Sequence, residues 1–300
     1  MSELPIDESC SPRHDVPRGG RSGFAMVDGR QVHYLEWGHR GLPPVLCLHG
    51  GGQTAYMFEE LGAAAAAQFH VLAPDLPNHG DSDPMDEGFG PLGIAKAMIP
   101  LMDAFGFDRA ALVGASLGGL TSIRMTESVA DRIPSITLID VGHKLEPEGV
   151  RKIIDFMRAH ESFASLDDAA EQISRYLPQR KAVRPGSLSR NLRQRADGRW
   201  VWKHGFGRRF RDVGEDEHPA DNLEQFLDGI EEAARLITCP VLVLRGQQSD
   251  VLSEAGAEEV TSAIPGARLV VVEKAGHLAA GDNPQSTTEL ILDFLVETWR

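Results

Sequence analysis

Short apolar runs that end abruptly recur along the chain. Val45–Leu48 ends in His49–Gly50, Phe69–Ala73 at Pro74–Asp75, Ala111–Val113 in Gly114, and Ile136–Ile139 at Asp140. Such runs are too short for helices and are apolar throughout, as strands buried on both faces are. Gln31–Trp37 is a further strand candidate, approached through Asp28–Gly29, a hairpin turn signal. Leu61–Ala67 and Ile94–Phe105 lie between the runs and read as helices, the alanines 63–67 being good helix formers in a buried position. Strands alternating with helices predict a buried parallel sheet.

The rhythm stops at about His143. From there to Arg235 the chain reads as helical, polar and irregular. It resumes with strand candidates Val241–Leu244 and Leu269–Val272. It closes with an amphipathic helix over Thr287–Trp299, whose apolar positions are Leu290, Ile291, Phe294 and Leu295. The organisation expected is therefore a flexible tail over residues 1–22, an α/β core over 23–142 and 236–300, and a helical insertion over 143–235. The tail assignment rests on Pro5, Pro12, Pro17, Gly19–Gly20 and several charges. There is no internal repeat.

Composition narrows the class. The 300 residues are 42% hydrophobic and 25% charged, which excludes a disordered or collagen-like chain. The net charge of −14 makes general nucleic-acid binding a poor fit. Cys10, Cys47 and Cys239 are far apart and odd in number, so neither a zinc site nor a disulfide framework can be read from them. No signal peptide or membrane-spanning run is evident, and the expectation is a cytoplasmic protein without membrane partners, monomeric or homodimeric.

The segment that carries chemistry is Val113-Gly114-Ala115-Ser116-Leu117-Gly118-Gly119. It follows an apolar strand and precedes a helix-compatible stretch, the context of a nucleophile elbow. A sharp strand-to-helix turn requires small residues two before and two after the serine, and it lifts the hydroxyl above the sheet edge. The N-terminus of the following helix favours developing negative charge there. A serine needs a base. His277, in Ala275-Gly276-His277-Leu278 directly after the last strand candidate, falls on the same sheet edge. The orienting acid is expected at Asp250, after Val241–Leu244, with Asp140 at the end of the preceding strand as its rival. The order Ser116, Asp250, His277 is the chain order of one class of serine hydrolase. Oxyanion donors are sought in Leu48-His49-Gly50-Gly51-Gly52-Gln53-Thr54, where the Gly51 amide is the candidate beside that of Leu117. Gly52 serves a register one residue later, and His49 is expected to brace the loop.

These pieces, with Ala73-Pro74-Asp75-Leu76-Pro77-Asn78-His79-Gly80-Asp81-Ser82, resemble the α/β-hydrolase superfamily with a helical cap. The resemblance covers about residues 23–142 and 236–300. It implies a mostly parallel eight-stranded sheet with helices on both faces, capped by the insertion. The family usually has glycine where this chain has Asn78, and asparagine tolerates the positive φ such a turn uses.

Over the serine, the insertion would shape the pocket and exclude water. Met57, Gly52, Trp200 and Trp202 are substrate-binding candidates, with Phe58 and Phe206 as softer ones. Trp200 and Trp202 read equally well as cap-to-core packing. Between Arg175 and Arg211 there are twelve Lys or Arg and one acid, Asp197. This set either steers an anionic substrate or is a solvated face paired with acids elsewhere. The function expected is hydrolysis of a small carboxylic ester or lactone through an acyl-enzyme, with no metal or organic cofactor. A carbon–carbon bond hydrolase or acyltransferase on the same triad is the alternative, and a non-catalytic ligand receptor is the alternative of another class. Leu278, where ring-cleavage hydrolases carry an aromatic, counts against the first of these.

Overall fold

The computed structural model of the chain describes residues 16–85, 88–177, 183–205 and 218–299. Its strands are β1 (Arg21–Val27), β2 (Arg30–Trp37), β3 (Pro44–Leu48), β4 (His70–Pro74), β5 (Ala111–Ala115), β6 (Ile136–Ile139), β7 (Ser162–Phe163), β8 (Leu192–Gln194), β9 (Trp200–Trp202), β10 (Val241–Gly246) and β11 (Arg268–Val272). Its helices are α1 (Glu59–Ala65), α2 (Pro91–Ala104), α3 (Leu117–Val129), α4 (Pro147–Ala159), α5 (Leu166–Tyr176), α6 (Leu223–Phe226), α7 (Ile230–Arg235), α8 (Glu254–Ala263), α9 (Ala279–Asp282) and α10 (Pro284–Thr298).

Eight strands form one sheet in the order β1-β2-β4-β3-β5-β6-β10-β11. The pairs from β4 to β11 are parallel, and β1 and β2 add antiparallel at one edge. Successive side chains of a strand point to opposite faces, and the two faces have separate cores. Leu46, Leu48 and Leu112 join Ile94, Met98 and Leu101 of α2 and Leu120 and Ile123 of α3 on one side. Val45, Cys47, Ala111 and Val113 join Leu61 and Ala65 of α1 and Ile291, Phe294 and Leu295 of α10 on the other. This double burial is why the strands read as unbroken apolar runs.

The fold differs from the expectation at two places. Residues 16–22 are tied to the sheet: the Trp37 indole donates to the Arg18 carbonyl at 3.0 Å, and β1 already starts at Arg21. Residues 1–15 lie outside the described residues. The stretch between β6 and β10 holds a three-stranded sheet, β7-β9-β8, beside its helices. Phe156, Phe163, Ala169, Ile173 and Leu192 give that stretch a core of its own. Its last helix, α7, instead adds Ile230, Ala233 and Ala234 to the main core.

Candidate active site

Ser116 follows β5 and caps α3 with φ 47° and ψ −115°, a conformation that costs a non-glycine residue energy. The surrounding glycines show why the turn is possible. A Cβ on Gly118 would stand 1.9 Å from the Leu48 carbonyl oxygen, and one on Gly114 2.5 Å from that of Gly118. The helix therefore starts pressed against β3. A Cβ on Gly50 would lie 3.3 Å from the Ser116 Cβ, so the glycine loop after β3 runs beside the serine.

His277 lies in the loop between β11 and α9, and its Nδ1 is 2.8 Å from Asp140 Oδ2. The partner of the histidine is thus Asp140, and the expectation of Asp250 is corrected. Asp250 is half exposed and pairs with Lys152 at 2.8 Å. The reason is the turn after β10. The Ser249 amide donates to the Gly246 carbonyl at 3.0 Å, so the chain has already turned when it reaches residue 250. Asp140 is wholly buried at the end of β6, next to β10 in the sheet, with φ 51°. Ser116 and Asp140 both leave their strands through positive φ, and the Ser116 amide donates to the carbonyl of Ile139, Asp140's neighbour, at 3.1 Å.

A buried carboxylate needs donors. Asp140 Oδ1 accepts from the Gly246 amide at 2.8 Å, and Oδ2 accepts from the Ser249 hydroxyl at 2.6 Å as well as from His277. Because a carboxylate only accepts, the His277 proton sits on Nδ1 and Nε2 is left as an acceptor. Asp282 Oδ2 takes the Gly276 amide at 2.9 Å and fixes the histidine loop. A Cβ on Gly246 would stand 2.1 Å from the Gly276 carbonyl oxygen, so only glycine lets the two loops touch.

The loop after β3 is held by imidazoles. His49 Nδ1 donates to the Gly50 carbonyl at 2.8 Å, and its Nε2 accepts the Leu76 amide at 2.9 Å, the bracing expected of it. His79 Nδ1 donates to the Pro77 carbonyl at 2.9 Å, and its Nε2 accepts the Gly52 amide at 3.1 Å. The Gly52 amide is therefore already engaged, which weighs against the alternative register. Among the described residues the Gly51 amide has no acceptor, and Leu117 opens a helix, where amides have no intrahelical partner. Burial lowers the pKa of His49, and burial followed by the neighbouring imidazoles lowers that of His79 further. Burial, with His49 adding to it, brings His204 down to about 4. All three are neutral at neutral pH. Asn78, with φ 66°, makes the expected turn and exchanges hydrogen bonds with the Met85 backbone.

The inserted stretch meets the loop at Gly52, where an added Cβ would lie 2.7 Å from Met157 Cε and 3.5 Å from His204 Nε2. Nothing in the sequence pointed to these two residues. Trp202 stacks on His204 with ring centroids 5.2 Å apart, touches Phe163 edge-on, and donates from Nε1 to the His160 carbonyl at 2.7 Å. Trp200 packs on the same small core. The two tryptophans thus help to build the insertion, and Met57 packs on the core beside α1. Phe58 is buried core, and Phe206 lies outside the described residues.

Several basic residues of the insertion have acidic partners. Arg190 forks onto both Glu59 oxygens at 2.6 and 2.9 Å, Lys203 meets Asp81 at 2.8 Å, Arg175 meets Glu171 and Arg195 meets Asp197. This favours the paired face over a free cationic funnel. Arg180, Lys181, Arg208, Arg209 and Arg211 lie outside the described residues. One group among the described residues has ligand spacing for a metal, namely His33, Asp75 and Asp81. Its donors are already in use. Asp75 accepts from His33 at 2.7 Å, the Ala55 amide at 2.7 Å and the Asp81 amide at 3.0 Å. Among the described residues no helix is long and apolar enough to cross a membrane.

A strained serine at a strand–helix turn, a histidine–aspartate pair on the same sheet edge and a glycine loop beside the serine are the parts of a hydrolase site. The family model for the alpha/beta hydrolase fold matches residues 43–284, and the chain belongs to that family of enzymes. It is 26% identical over 300 residues to the esterase Rv0045c of Mycobacterium tuberculosis, covering 95% of each chain. It is 26% identical to the 2-(acetamidomethylene)succinate hydrolase of Mesorhizobium japonicum, covering 84% of this chain and 88% of that one. An alpha/beta hydrolase from Novosphingobium aromaticivorans has a similar structure, with a TM-score of 0.77 at 25% identity over 94% of this chain and 99% of the other.

Proposed function

We propose that the protein is a serine hydrolase of small carboxylic esters or lactones, with Ser116 as nucleophile, His277 as base and Asp140 as the orienting acid. The observation that carries this reading is the 2.8 Å contact from His277 Nδ1 to the buried Asp140 carboxyl, which leaves Nε2 as the proton acceptor. His277 takes the Ser116 proton as Oγ attacks the carbonyl. The Leu117 and Gly51 amides donate to the oxyanion. The tetrahedral intermediate collapses, the C–O bond breaks, and His277 returns the proton to the leaving alkoxide. Water then attacks the acyl-enzyme with His277 again as base, releasing the acid and restoring Ser116. Met157 and His204 lie against the glycine loop at Gly52 and bring the insertion up to it. The esterase among the relatives is in keeping with this chemistry.

The test is turnover of p-nitrophenyl esters from acetyl to decanoyl by wild type and Ser116→Ala. Turnover that Ser116→Ala loses, with an optimum at short acyl chains, is the expected result. Equal turnover by the variant refutes the mechanism.

A further inference from the structure

Ser249 lies beside the residue first expected to be the acid, and its hydrogen bonds are unusually complete. Its Oγ accepts the Val251 amide at 3.2 Å and the Leu252 amide at 3.1 Å. A hydroxyl has two lone pairs and one proton. Both lone pairs are taken by amides that can only donate, so the proton has one direction left, toward Asp140 Oδ2 at 2.6 Å. That oxygen is also the one that holds His277 Nδ1.

We infer that Ser249 is a positioning residue for the base: its hydroxyl shares Asp140 Oδ2 with the imidazole, and so sets both the orientation of His277 and how strongly the carboxylate stabilises its charged form. The inference rests on the proposed triad. Two donors on one oxygen divide its charge. Remove the hydroxyl, and Oδ2 interacts with the imidazole alone. The imidazolium is then better stabilised, and the base is lost to protonation at a higher pH. The carboxylate also loses one of the three anchors that fix its plane, so His277 aims less well at Ser116. The competing role is that of a loop brace, since the same Oγ pins residues 251 and 252.

The experiment compares Ser249→Ala, Ser249→Thr and Ser116→Ala in the full chain, reading kcat and KM on a p-nitrophenyl ester from pH 5 to 9 alongside thermal unfolding. Loss of one charge-assisted hydrogen bond predicts about a tenfold fall in kcat for Ser249→Ala near pH 6. KM stays within about twofold, because a group acting through the base leaves ground-state binding alone. The acidic limb of kcat/KM moves to higher pH, and Ser249→Thr, which keeps the hydroxyl, restores limb and rate together. A variant with lowered melting temperature but wild-type pH limb and kcat reduces Ser249 to a loop brace and overturns the inference. If Ser249→Ala does not fold, Ser249→Cys, of similar size but a weak donor, must show the same limb shift, and a wild-type limb in that variant also overturns it. Full activity in Ser116→Ala removes the triad itself, a failure distinct from an unshifted limb in an enzyme that still needs Ser116.

Discussion

Asparagine at position 140 separates the two carboxylates that the sequence offers as the acid. The substitution keeps shape and removes charge, and the surroundings dictate how the amide must sit. The Gly246 amide faces Oδ1 at 2.8 Å and needs an acceptor there. With the oxygen of asparagine held there, its NH2 group takes the Oδ2 side, where it meets His277 Nδ1 and deprives the Ser249 hydroxyl of its acceptor. There it donates, the imidazole proton moves to Nε2, and the proposed base carries a hydrogen where it needs a lone pair. A wrong tautomer of this kind lowers kcat by about 10⁴-fold, roughly 5 kcal/mol of transition-state stabilisation. Asp250→Asn removes one half-exposed ion pair with Lys152, worth about 1 kcal/mol or less, and should leave kcat within about twofold of wild type. The assay is steady-state hydrolysis of p-nitrophenyl acetate by both variants, with thermal unfolding as the control for folding. A dead Asp250→Asn beside an active Asp140→Asn would refute the assignment and the tautomer argument with it.

Other predictions concern stability. His204 titrates at about 4 in the fold against 6.5 for an ordinary histidine. The unfolded chain thus binds a proton first, and this group's stabilisation, full above pH 6.5, is lost as pH falls toward 4. The loss is about 3 kcal/mol, visible as a shallower acid decline of urea-unfolding free energy in His204→Phe than in wild type; parallel declines would contradict it. Gly118→Ala drives a Cβ into the Leu48 carbonyl and should cost about 3 kcal/mol or more, read as a lowered urea midpoint or insoluble chain. A normal midpoint would show that α3 is not pressed on β3. Arg190→Lys cannot fork onto Glu59, and should lose about 1 kcal/mol in thermal unfolding, nearly as much as Arg190→Ala.

The central strands β3, β4, β5, β6 and β10 were legible because they are buried on both faces and so are almost wholly apolar. Ser116 was legible because its turn demands glycines at fixed offsets, and His277 because it follows the last apolar run at a glycine. The acid was not. Asp140 and Asp250 both follow strands, and the choice depends on where a turn of four residues sends each side chain. Ser249 folds that turn back and leaves Asp250 against Lys152, while the positive φ of Asp140 holds its carboxylate under the histidine. Neither event has a pattern in residue type. The packing of the tryptophans was open for a similar reason: large aromatic residues in a short extended segment suit a pocket wall or a small core equally, and the partners of Trp202, His160 and Phe163, lie about forty residues earlier. The small sheet was hidden because β7, β8 and β9 are two or three residues long, too short to show a period.

The proposed chemistry requires Ser116 to be a nucleophile that His277 and Asp140 activate. Intact-mass analysis after brief exposure to a fluorophosphonate, followed by peptide mapping, tests this most directly. One phosphonyl group on Ser116 in the wild type, with none on Ser116→Ala and slow uptake by Asp140→Asn, is the result predicted. An unlabelled wild type that is folded and still hydrolyses esters, or a label on another residue that survives Ser116→Ala, would contradict it.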